Sequence, residues 1–380
     1  MSGRDLTSGR DSRPVHVQRA TMRNVAALAG VGKTTVSRVF NSDPTVSPEI
    51  VSRVRTAAAQ LNYQPNQAAS DLRRRDGRPS TIGLLIQDVA NMFWANIFRA
   101  VDDVAIGHNV SVLAGNIDGD PKREHQLVAN LISRRVNGLI IVPASYDHSY
   151  LQYQQRVGTP VVFVDRPPLL LAADSVVSDC RVGAYTAIMH LAQSGHRHIA
   201  FLGESTQHAP AIQRYEGYVE ALRDIGVALN PAIVRRDSDT EDASARACVG
   251  MLSGNDPPTA FFTAHLRATL GAIEALSSLG REETCALVGF DDFPLFDHLR
   301  PGVSVIAQDA RALGKLAAEV LFERIAGDTS PVKQHVVPTR LIERGSGEVR
   351  AHRTVADRRS QSPSTRHRLS TVGRRAQREG

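Results

Sequence analysis

Residues 21–72 read TMRNVAALAGVGKTTVSRVFNSDPTVSPEIVSRVRTAAAQLNYQPNQAASDL, and this stretch decides the organisation of the chain. Apolar side chains up to Leu28 recur at helical spacing after Thr21, a candidate helix N-cap with Asn24 three residues later. Gly30 then interrupts the pattern, as the tight corner of a helix-turn-helix requires. The pattern predicts a first helix that ends at this glycine.

A second short helix is predicted from about Lys33 to Phe40. Three apolar residues would bury one of its faces, namely Val36, Val39 and Phe40. Polar side chains would occupy the other face and point to solvent or to a groove: Lys33, Thr34, Ser37 and Arg38.

A third helix is predicted to begin at Ser47. The Ser47 hydroxyl is placed to cap it, Pro48 stands where an N–H is dispensable, and Glu49 lies at the positive end of the helix dipole. Apolar residues at helical spacing continue from Ile50 to Leu61. Three short helices in this order predict a small DNA-reading domain.

The segments VAALAGVGKTTVSRVFN, TVSPEIVSRVRTAAAQLNYQPN and AASDL resemble the headpiece of the LacI/GalR family of bacterial transcription regulators. The order of the elements, the VSRV core and the LNYQPN exit carry this resemblance together, and it extends over about residues 21–347. It implies an α/β protein with an N-terminal three-helix helix-turn-helix headpiece and a hinge helix. A doubly wound parallel-sheet core of two subdomains, like that of periplasmic binding proteins, would follow.

A competing interpretation comes from ALAGVGKT, residues 27–34, which fits a relaxed phosphate-loop pattern with Ala27 in place of the first glycine. Such a loop needs a buried strand before it and a helix after it. The residues before it have helical periodicity instead, so Lys33 is better explained as a side chain that faces DNA.

The formal charge of +6 is unevenly distributed along the 380 residues. Residues 1–80 carry a net +7, residues 81–347 a net −7, and residues 348–380 a net +6. Basic segments at both ends of an acidic body are expected if one end meets a polyanion. The alternative, a basic face that is merely solvated, is weakened by the neighbouring helix-turn-helix.

Three cysteines, Cys180, Cys248 and Cys285, are far apart and form no CxxC pair, so neither a disulfide framework nor a zinc site is expected. We expect each to be buried as a small hydrophobic residue. The first 20 residues have no apolar core typical of a signal peptide, and no apolar run of 18 residues exists. We therefore expect a cytoplasmic protein that does not contact a membrane.

The composition changes along the chain predict five segments. Residues 1–20 are expected to be a disordered arm, 21–64 the headpiece, 65–80 the hinge helix and linker, 81–347 the effector-binding and dimerisation core, and 348–380 a disordered basic tail. Within the core, apolar runs separated by 15–25 residues indicate parallel strands covered on both faces. Seven such runs are present: IGLLIQD, VSVLAGN, GLIIVP, PVVFVDR, HIAFLGE, PTAFFTA and CALVGFDD. The tail lacks leucine heptads, so a homodimer is expected rather than a tetramer.

By resemblance, three residues of the second helix face base edges in the major groove: Lys33, Thr34 and Arg38. Lysine and arginine suit the acceptors of guanine. Other positions resemble those that contact the DNA backbone: Thr21, Thr35, Ser37, Asn41, Ser47 and Tyr63. Phosphate contacts position a protein on DNA, whereas base contacts select sequence.

The hinge segment after Pro65 is too short to be stable as an isolated helix. The family resemblance implies that two copies fold together in the minor groove of palindromic operator DNA, with Asn66 and Ala69 in this segment. Leu72 stands where the family inserts a leucine wedge at the central base step. The alternative is that Leu72 is a simple packing residue.

In the core, the resemblance implies an effector, expected to be a sugar, between the two subdomains, consistent with ligand binding at the carboxyl ends of parallel strands. Arg214 and Asp291 match positions that contact ligand hydroxyls or polar ring groups. Asp88 ends the first strand, and Asp165-Arg166 border the same region. Phe93 and Trp94 begin the next helix, where an aromatic ring resembles a stacking platform, although core packing explains Trp94 equally well.

One departure from the family concerns the residues after the FFTA strand. The family has Asn-Asp there, whereas this chain has His265-Leu266. His265 is interpreted as a ligand donor, as a pH-sensitive contact or as a satisfied surface histidine. Loss of the polar pair puts a typical pyranose ligand in doubt. No arrangement of residues indicates catalysis, a cofactor or a metal site.

The sequence therefore predicts a transcriptional regulator, expected to be a repressor, that binds double-stranded operator DNA as a homodimer under control of a small molecule. The alternatives are a sugar-binding module without a regulatory role and a phosphate-loop nucleotide hydrolase.

Overall fold

The computed structural model describes residues 20–40, 43–63, 81–205 and 208–351. The chain divides into two compact units at the junction between Arg78 and Pro79. The predicted N-terminal arm, the hinge segment and the basic tail after residue 351 lie outside the described residues.

The first unit contains the three predicted helices: α1 (Met22–Ala29), α2 (Lys33–Phe40) and α3 (Pro48–Gln60). Thr21 caps α1 through a capping box, in which its hydroxyl accepts from the Asn24 N–H and the Asn24 side chain accepts from the Thr21 N–H. Gly30 ends α1 with φ of 63°, a left-handed conformation that favours glycine. The predicted cap and corner of the helix-turn-helix are confirmed.

The core of this unit is formed by valines and alanines from all three helices. Val25, Val36 and Val54 are fully buried. Arg53 holds the turn between α1 and α2, because its Nη2 donates to the Ala29 carbonyl at 2.5 Å. Leu28 is 51% exposed, because the face of α1 that carries Val25 and Ala29 packs on the core.

The prediction that the Ser47 hydroxyl caps α3 is wrong. Ser47 occupies the N-cap position and Pro48 the first turn, but the Ser47 side chain makes no capping hydrogen bond. Ser47, Pro48 and Glu49 are all exposed, so water can satisfy the free N–H groups of the first turn. The Ser47 hydroxyl is therefore available to another acceptor.

The second unit consists of two lobes, each built on a six-stranded sheet. The N-lobe sheet has the order β11-β5-β4-β3-β1-β2 and is parallel throughout. The C-lobe sheet has the order β12-β10-β9-β8-β6-β7, and only its edge strand β12 is antiparallel. The strands are β1 (Thr81–Ile86), β2 (Ser111–Asn116), β3 (Leu139–Ile141), β4 (Val161–Val164), β5 (Asp174–Ser178), β6 (Ile199–Leu202), β7 (Val234–Arg235), β8 (Ala260–Thr263), β9 (Ala286–Phe290), β10 (Ser304–Ala307), β11 (Gln334–Val337) and β12 (Arg340–Ile342).

Helices cover both faces of each sheet, which explains why the strands are apolar without alternation. In β1, Leu84 packs on one face and Leu85 on the other, and both are fully buried. The helices are α4 (Met92–Gly107), α5 (Pro121–Ser133), α6 (Gln152–Arg156), α7 (Cys180–Gln193), α8 (Ala209–Asp224), α9 (Glu241–Leu252), α10 (Leu266–Ser278) and α11 (Ala310–Ile325). All seven apolar runs predicted as strands are strands, and the predicted doubly wound architecture is confirmed.

The chain crosses between the lobes three times, after β5, after β10 and after β11. The crossings lie side by side, since the Asp179 N–H donates to the Val337 carbonyl at 3.1 Å and the Thr339 hydroxyl donates to the Asp179 carbonyl at 3.3 Å. Asp179 and Asp309 also cap the helices that follow their crossings. These three segments are the covalent connections between the two lobes.

The three cysteines are buried, as predicted, and burial raises the pKa of each thiol. Residues 348–351, which the sequence assigned to the tail, contact the C-lobe: the Val349 carbonyl lies 2.7 Å from His196 Nε2. Within the described ranges, no helix is long and apolar enough to cross a membrane.

Candidate functional site

The first candidate site is the outer face of α2. Lys33, Thr34 and Arg38 are exposed on it, whereas Thr35 and Ser37 are half-buried. Val36 and Val39 on the opposite face are buried in the core, so the orientation of the helix about its own axis is fixed. The residues predicted to read base edges thus share one exposed face of a short, well-anchored helix.

Among the described residues, Arg38 has an ionic neighbour in Asp43, whose Oδ2 lies 3.8 Å from the Arg38 Nε. The Arg38 side chain is 59% exposed, and surface ion pairs contribute at most about 1 kcal/mol. A phosphate or a guanine edge can therefore compete for this guanidinium at small cost.

The residues predicted to contact the DNA backbone lie around this helix. Thr21 is exposed but its hydroxyl is engaged in the α1 cap, while Ser47 is exposed at the start of α3. Tyr63 is half-buried and packs on Phe40, with 5.8 Å between ring centroids. Four predicted DNA-binding residues lie outside the described residues: Asn41, Asn66, Ala69 and Leu72.

The second candidate site is a cavity of about 390 Å³ between the two lobes, which we call the cleft. Its lining comes largely from residues that follow the carboxyl ends of parallel strands in both sheets, where α/β proteins bind ligands. These strand-end residues are Gln87 and Asp88 after β1, Asp118 after β2, Asp165 after β4, Glu204 after β6, Asp239 after β7, His265 after β8, Asp291 after β9 and Gln308 after β10. All six predicted effector residues line the cleft: Asp88, Phe93, Trp94, Arg214, His265 and Asp291.

Arg214 is the buried cation of the cleft. It is 5% exposed, its Nη1 donates to the Ala264 carbonyl at 2.7 Å, and its guanidinium lies 4.1 Å from the centre of the Phe290 ring. Its pKa is raised above the ordinary value: burial opposes the charge, but the Cys180, Asp291, Glu204 and Asp165 groups around it favour it. Its Nε is buried and makes no hydrogen bond within the described part of the chain.

Two carboxylates at strand ends flank this arginine. Asp291 adopts a left-handed backbone conformation, with φ of 75°, and its Oδ1 accepts from Gln308 Nε2 at 2.7 Å. Asp165 has φ of 69°, and burial raises the pKa of its carboxyl group even though Arg166 lies beside it at 3.3 Å. Both residues adopt a left-handed backbone conformation, and both line the cleft.

Trp94 and Phe93 form the aromatic part of the lining. Their rings meet edge to face at 4.6 Å between centroids, and Trp94 also belongs to the N-lobe core. The two interpretations of Trp94 are therefore compatible, because one side of the ring packs inward and the residue still borders the cavity.

His265 is not a surface histidine. It stands at the N-cap of α10, where its Nδ1 accepts from the Ala268 N–H at 3.3 Å, and its Nε2 is buried. Burial is the main cause that lowers its pKa, so the ring is neutral at pH 7. Leu266 beside it also lines the cleft, and the family's carboxylate at that position is thus replaced by an apolar surface.

Contacts between described residues of the two lobes cross the cleft. Arg267 Nη2 of α10 lies 3.4 Å from Asp88 Oδ2 after β1. The ring of His208, before α8, stacks on the N-lobe residue Tyr146 at 5.0 Å between centroids and 6° between planes. Both contacts hold the lobes together in the arrangement described.

Several residues of the cleft are missing from the sequence prediction. Glu204, Asp239 and Gln308 each follow a strand, and His208 precedes a helix. Glu204 could have been found, because it directly follows the predicted HIAFLG strand. Asp239 and Gln308 could not, because β7 and β10 were not predicted.

Comparison with known proteins covers both units. Residues 21–66 match the lacI family of bacterial regulatory proteins, and residues 188–347 match the periplasmic binding protein-like domain. The chain is 30% identical to the ribose operon repressor of Haemophilus influenzae over 329 residues, which are 86% of this chain and 98% of that protein. It is 28% identical to the HTH-type transcriptional repressor PurR of Vibrio vulnificus over 309 residues, which are 80% of this chain and 92% of that protein.

The fold resembles that of solved regulators as well. A crystal structure of the lac repressor dimer bound to operator and the anti-inducer ONPF superposes with a TM-score of 0.77 at 26% identity. The superposition covers 87% of this chain and 99% of that one. The similarity therefore spans the helical unit and the two-lobed unit together.

Proposed function

This chain belongs to the LacI family of bacterial regulatory proteins, and we propose that it is a dimeric transcriptional repressor whose affinity for operator DNA is set by a small molecule in the cleft. The observation that carries this proposal is the pairing of an exposed, basic recognition helix with a polar cavity between two lobes in one chain. Its relatives include a ribose operon repressor and a PurR repressor. The protein acts in the cytoplasm, where operator DNA is found.

We assign sequence reading to Lys33, Thr34 and Arg38. A bidentate contact between arginine and guanine contributes about 1–3 kcal/mol of discrimination against other bases. Backbone contacts are assigned to Thr21, Thr35, Ser37, Asn41, Ser47 and Tyr63. The Ser47 hydroxyl makes no capping hydrogen bond, which supports its assignment to a phosphate contact. The Thr21 hydroxyl would have to bind phosphate while it caps α1.

The hinge segment, residues 65–80, is assigned to the minor groove, with Asn66 and Ala69 in contact with DNA and Leu72 inserted at the central step. Inserted apolar side chains unstack a base step and bend the duplex, and the bend allows more protein surface to contact DNA. The cleft then controls repression, because its ligand favours one arrangement of the lobes and thereby one affinity for operator. Such coupling is reciprocal: operator must change ligand affinity by the same factor.

The relatives are transcriptional repressors, and we propose that this chain likewise has no catalytic activity. The nucleotide-hydrolase interpretation has no support from the local fold, since the residues before Gly30 form helix α1 rather than a strand. A sugar-binding module without a regulatory role is disfavoured by the headpiece itself.

The test is selection of bound sequences from random duplex DNA by the purified protein at physiological salt. We expect a palindrome with a flexible central step, and we expect Arg38→Ala to lose sequence preference more than nonspecific affinity. Arg311→Ala, which removes an exposed arginine from the second unit, is the matched control for loss of charge. Recovery of unselected DNA, or equal losses on operator and random DNA for Arg38→Ala, contradicts the assignment.

Leu72→Ala tests the hinge assignment separately. We expect weaker operator binding with an unbent duplex, measured by binding and by electrophoretic bend analysis, and unchanged ligand binding. Unaltered operator affinity would show that Leu72 is not a wedge.

A further inference from the structure

The N-lobe carries a concentration of positive charge at the end of its sheet where the strands begin. The charge lies in the loops that join an α-helix to the next strand and in the last turns of those helices. Five charged residues there are basic: Arg134, Arg135, Arg156, Arg324 and Lys333. Two are acidic, Glu323 and Asp328. Residues 81–347 as a whole carry a net −7, so this end differs in sign from the rest of the core.

The C-lobe provides an internal reference, because it has the same architecture. Its corresponding loops and helical turns contain three basic residues: Arg197, Arg223 and Arg281. They also contain four acidic residues: Asp224, Asp256, Glu282 and Glu283. The helix dipole favours cations near the C-terminus of a helix. Helices end in this way in both lobes, so the dipole alone does not explain an excess of positive charge in one of them.

Four of the five N-lobe cations are exposed and available to a partner. Arg324 is the exception, since it binds the buried Asp174 at 2.8 Å and also pairs with Asp328 at 3.3 Å. The other four make no ion pair and no side-chain hydrogen bond with any described residue: Arg134, Arg135, Arg156 and Lys333. We call these four residues the N-lobe basic face. Charges more than about 8 Å apart are largely screened at physiological salt, so the local excess determines what binds here.

The N-lobe basic face lies beside the point at which the chain enters the second unit. β1 begins at Thr81, and residues 65–80 connect it to the unit that carries the recognition helix α2. The Asn137 N–H donates to the Thr81 carbonyl at 2.8 Å, so Arg135 is two residues from a direct contact with the start of β1. The positive charge continues in the sequence before Thr81, which reads RRRDGRPS over residues 73–80.

The four cations are spread along the end of the sheet. Lys333 precedes β11, Arg156 precedes β4, and the two adjacent arginines precede β3. The strand order places three strand spacings between β11 and β3, which is about 14 Å at about 4.8 Å for each spacing. Duplex DNA carries one phosphate charge per about 1.7 Å of its axis, so this distance corresponds to about eight phosphates.

We propose that the N-lobe basic face is a second DNA-binding surface, which contacts the phosphate backbone of the duplex held by the headpiece. This inference rests on the proposed function, because the headpiece has to bring the duplex to this side of the second unit. It gives the core a direct contact with DNA in addition to effector binding and dimerisation. Contacts from arginine and lysine to phosphate add affinity and fix position, but they do not select sequence.

The first test is the salt dependence of DNA binding by the full-length protein. Arg134→Gln and Arg135→Gln are combined in one variant, and binding to a labelled random-sequence duplex is followed by fluorescence anisotropy between about 50 and 200 mM salt. Each phosphate contact contributes about 0.9 to the slope of log K against log salt. Loss of two contacts in each protomer of a dimer should lower the magnitude of the slope by about 3–4 and the affinity at about 150 mM salt by at least tenfold.

The matched control combines Arg246→Gln with Arg281→Gln. It removes two exposed C-lobe arginines that likewise form no ion pair with a described residue, so the change in net charge is the same. We expect the control to keep the native slope and affinity, and urea unfolding should show that both variants are folded. A native slope in the N-lobe variant, or an equal loss in the control, overturns the inference.

Crosslinking tests proximity without relying on affinity. Arg135→Cys introduces an exposed thiol, whereas the three native cysteines are buried and their thiol pKa values are raised. A photoactivatable reagent attached at position 135 should crosslink the protein to the duplex. The same reagent attached through Arg281→Cys should not. Absence of a crosslink from position 135, or equal crosslinking from both positions, contradicts a DNA contact at the N-lobe basic face.

Selection of bound sequences separates this inference from the proposed function. The variant that combines Arg134→Gln with Arg135→Gln should select the same palindrome as the native protein, because the base contacts assigned to α2 are intact. A palindrome together with an unchanged salt slope describes a repressor whose core does not touch DNA. If the native protein selects no sequence but the variant still lowers the slope, the basic face binds DNA and the proposed repressor function is lost.

Discussion

Replacing Gly217 with alanine should force helices α7 and α8 apart, and should thereby lower both the stability of the protein and the affinity of the cleft for its ligand. A Cβ atom at this position would lie 2.2 Å from the Arg181 carbonyl oxygen and 3.0 Å from the Tyr185 nitrogen. Both are backbone atoms of α7, which cannot rotate away as a side chain can. Gly217 is also three residues after Arg214, so the same helical face carries the close contact and the buried cation.

The magnitude follows from two opposing effects. Overpacking costs typically 1–3 kcal/mol and occasionally more, and a clash of this size with backbone belongs at the upper end. Alanine has a higher helix propensity than glycine, and this difference stabilises the helix by about 1 kcal/mol. We expect a net loss of about 2 kcal/mol in the free energy of unfolding, measured by urea unfolding followed by circular dichroism.

The matched control is Gly250→Ala in α9, where nothing lies within 4 Å of the added Cβ. This variant should be stabilised by about 0.5–1 kcal/mol, since only the helix propensity changes. A shift of the two variants in the same direction by similar amounts would refute the packing argument.

The functional consequence concerns the Arg214 bond to the Ala264 carbonyl, 2.7 Å long in the native packing. Displacement of α8 moves Arg214 from its position in the cleft. We expect ligand binding to weaken by about tenfold or more, the equivalent of one lost hydrogen bond between the ligand and a charged group. Gly250→Ala should leave ligand affinity unchanged. Equal ligand affinity in both variants would mean that the position of α8 does not set the geometry of the cleft.

Three further predictions concern separate parts of the molecule. Thr21→Ala should destabilise the first unit by about 1 kcal/mol through loss of the α1 cap, seen as faster amide exchange in α1, and unchanged exchange would contradict the cap. In the native protein at pH 8, the cysteines should resist a thiol reagent until denaturant is added, because burial raises the pKa of Cys180 and Cys285 to about 12; rapid labelling without denaturant would be the contrary result. The pKa of His208 is lowered to about 4 by burial, so the unfolded state binds its proton first as pH falls. Its contribution to stability is present above about pH 6.5 and is lost progressively between pH 6.5 and 4. His208→Gln should therefore reduce the slope of stability against pH in that window, and an unchanged slope would exclude His208 as a contributor.

The headpiece was predicted in detail because its signals are local. A capping pair at Thr21 and Asn24, a glycine that must adopt positive φ, and helical apolar spacing all act within a few residues. The predicted span of the second helix, Lys33 to Phe40, is the observed one. The error at Ser47 concerns a side-chain hydrogen bond, which residue type and spacing alone do not specify.

Seven of the twelve strands were predicted, and these include the edge strand β2 and the three-residue β3, whereas the buried interior strand β10 was missed. The five missed strands include β7, of two residues, and the edge strands β11 and β12. β5 begins at Asp174, whose carboxylate is buried because Arg324 binds it through two nitrogens at 2.8 and 3.0 Å. A charged residue in a buried strand is explained only by a partner 150 residues away, which periodicity cannot reveal.

The replacement of the family's Asn-Asp by His265-Leu266 shows why a site must be judged as a whole. From the sequence, loss of a carboxylate at position 266 placed sugar binding in doubt. The cleft nevertheless holds six carboxylates, because strand ends from both sheets converge there, and Glu204 and Asp239 supply acceptors that lie outside the predicted set. His265 still caps α10, so the geometry of that strand end is kept while its charge is reduced. The departure therefore removes one acceptor from a site that has several, and we expect it to alter which hydroxyls are recognised rather than whether a polyol binds.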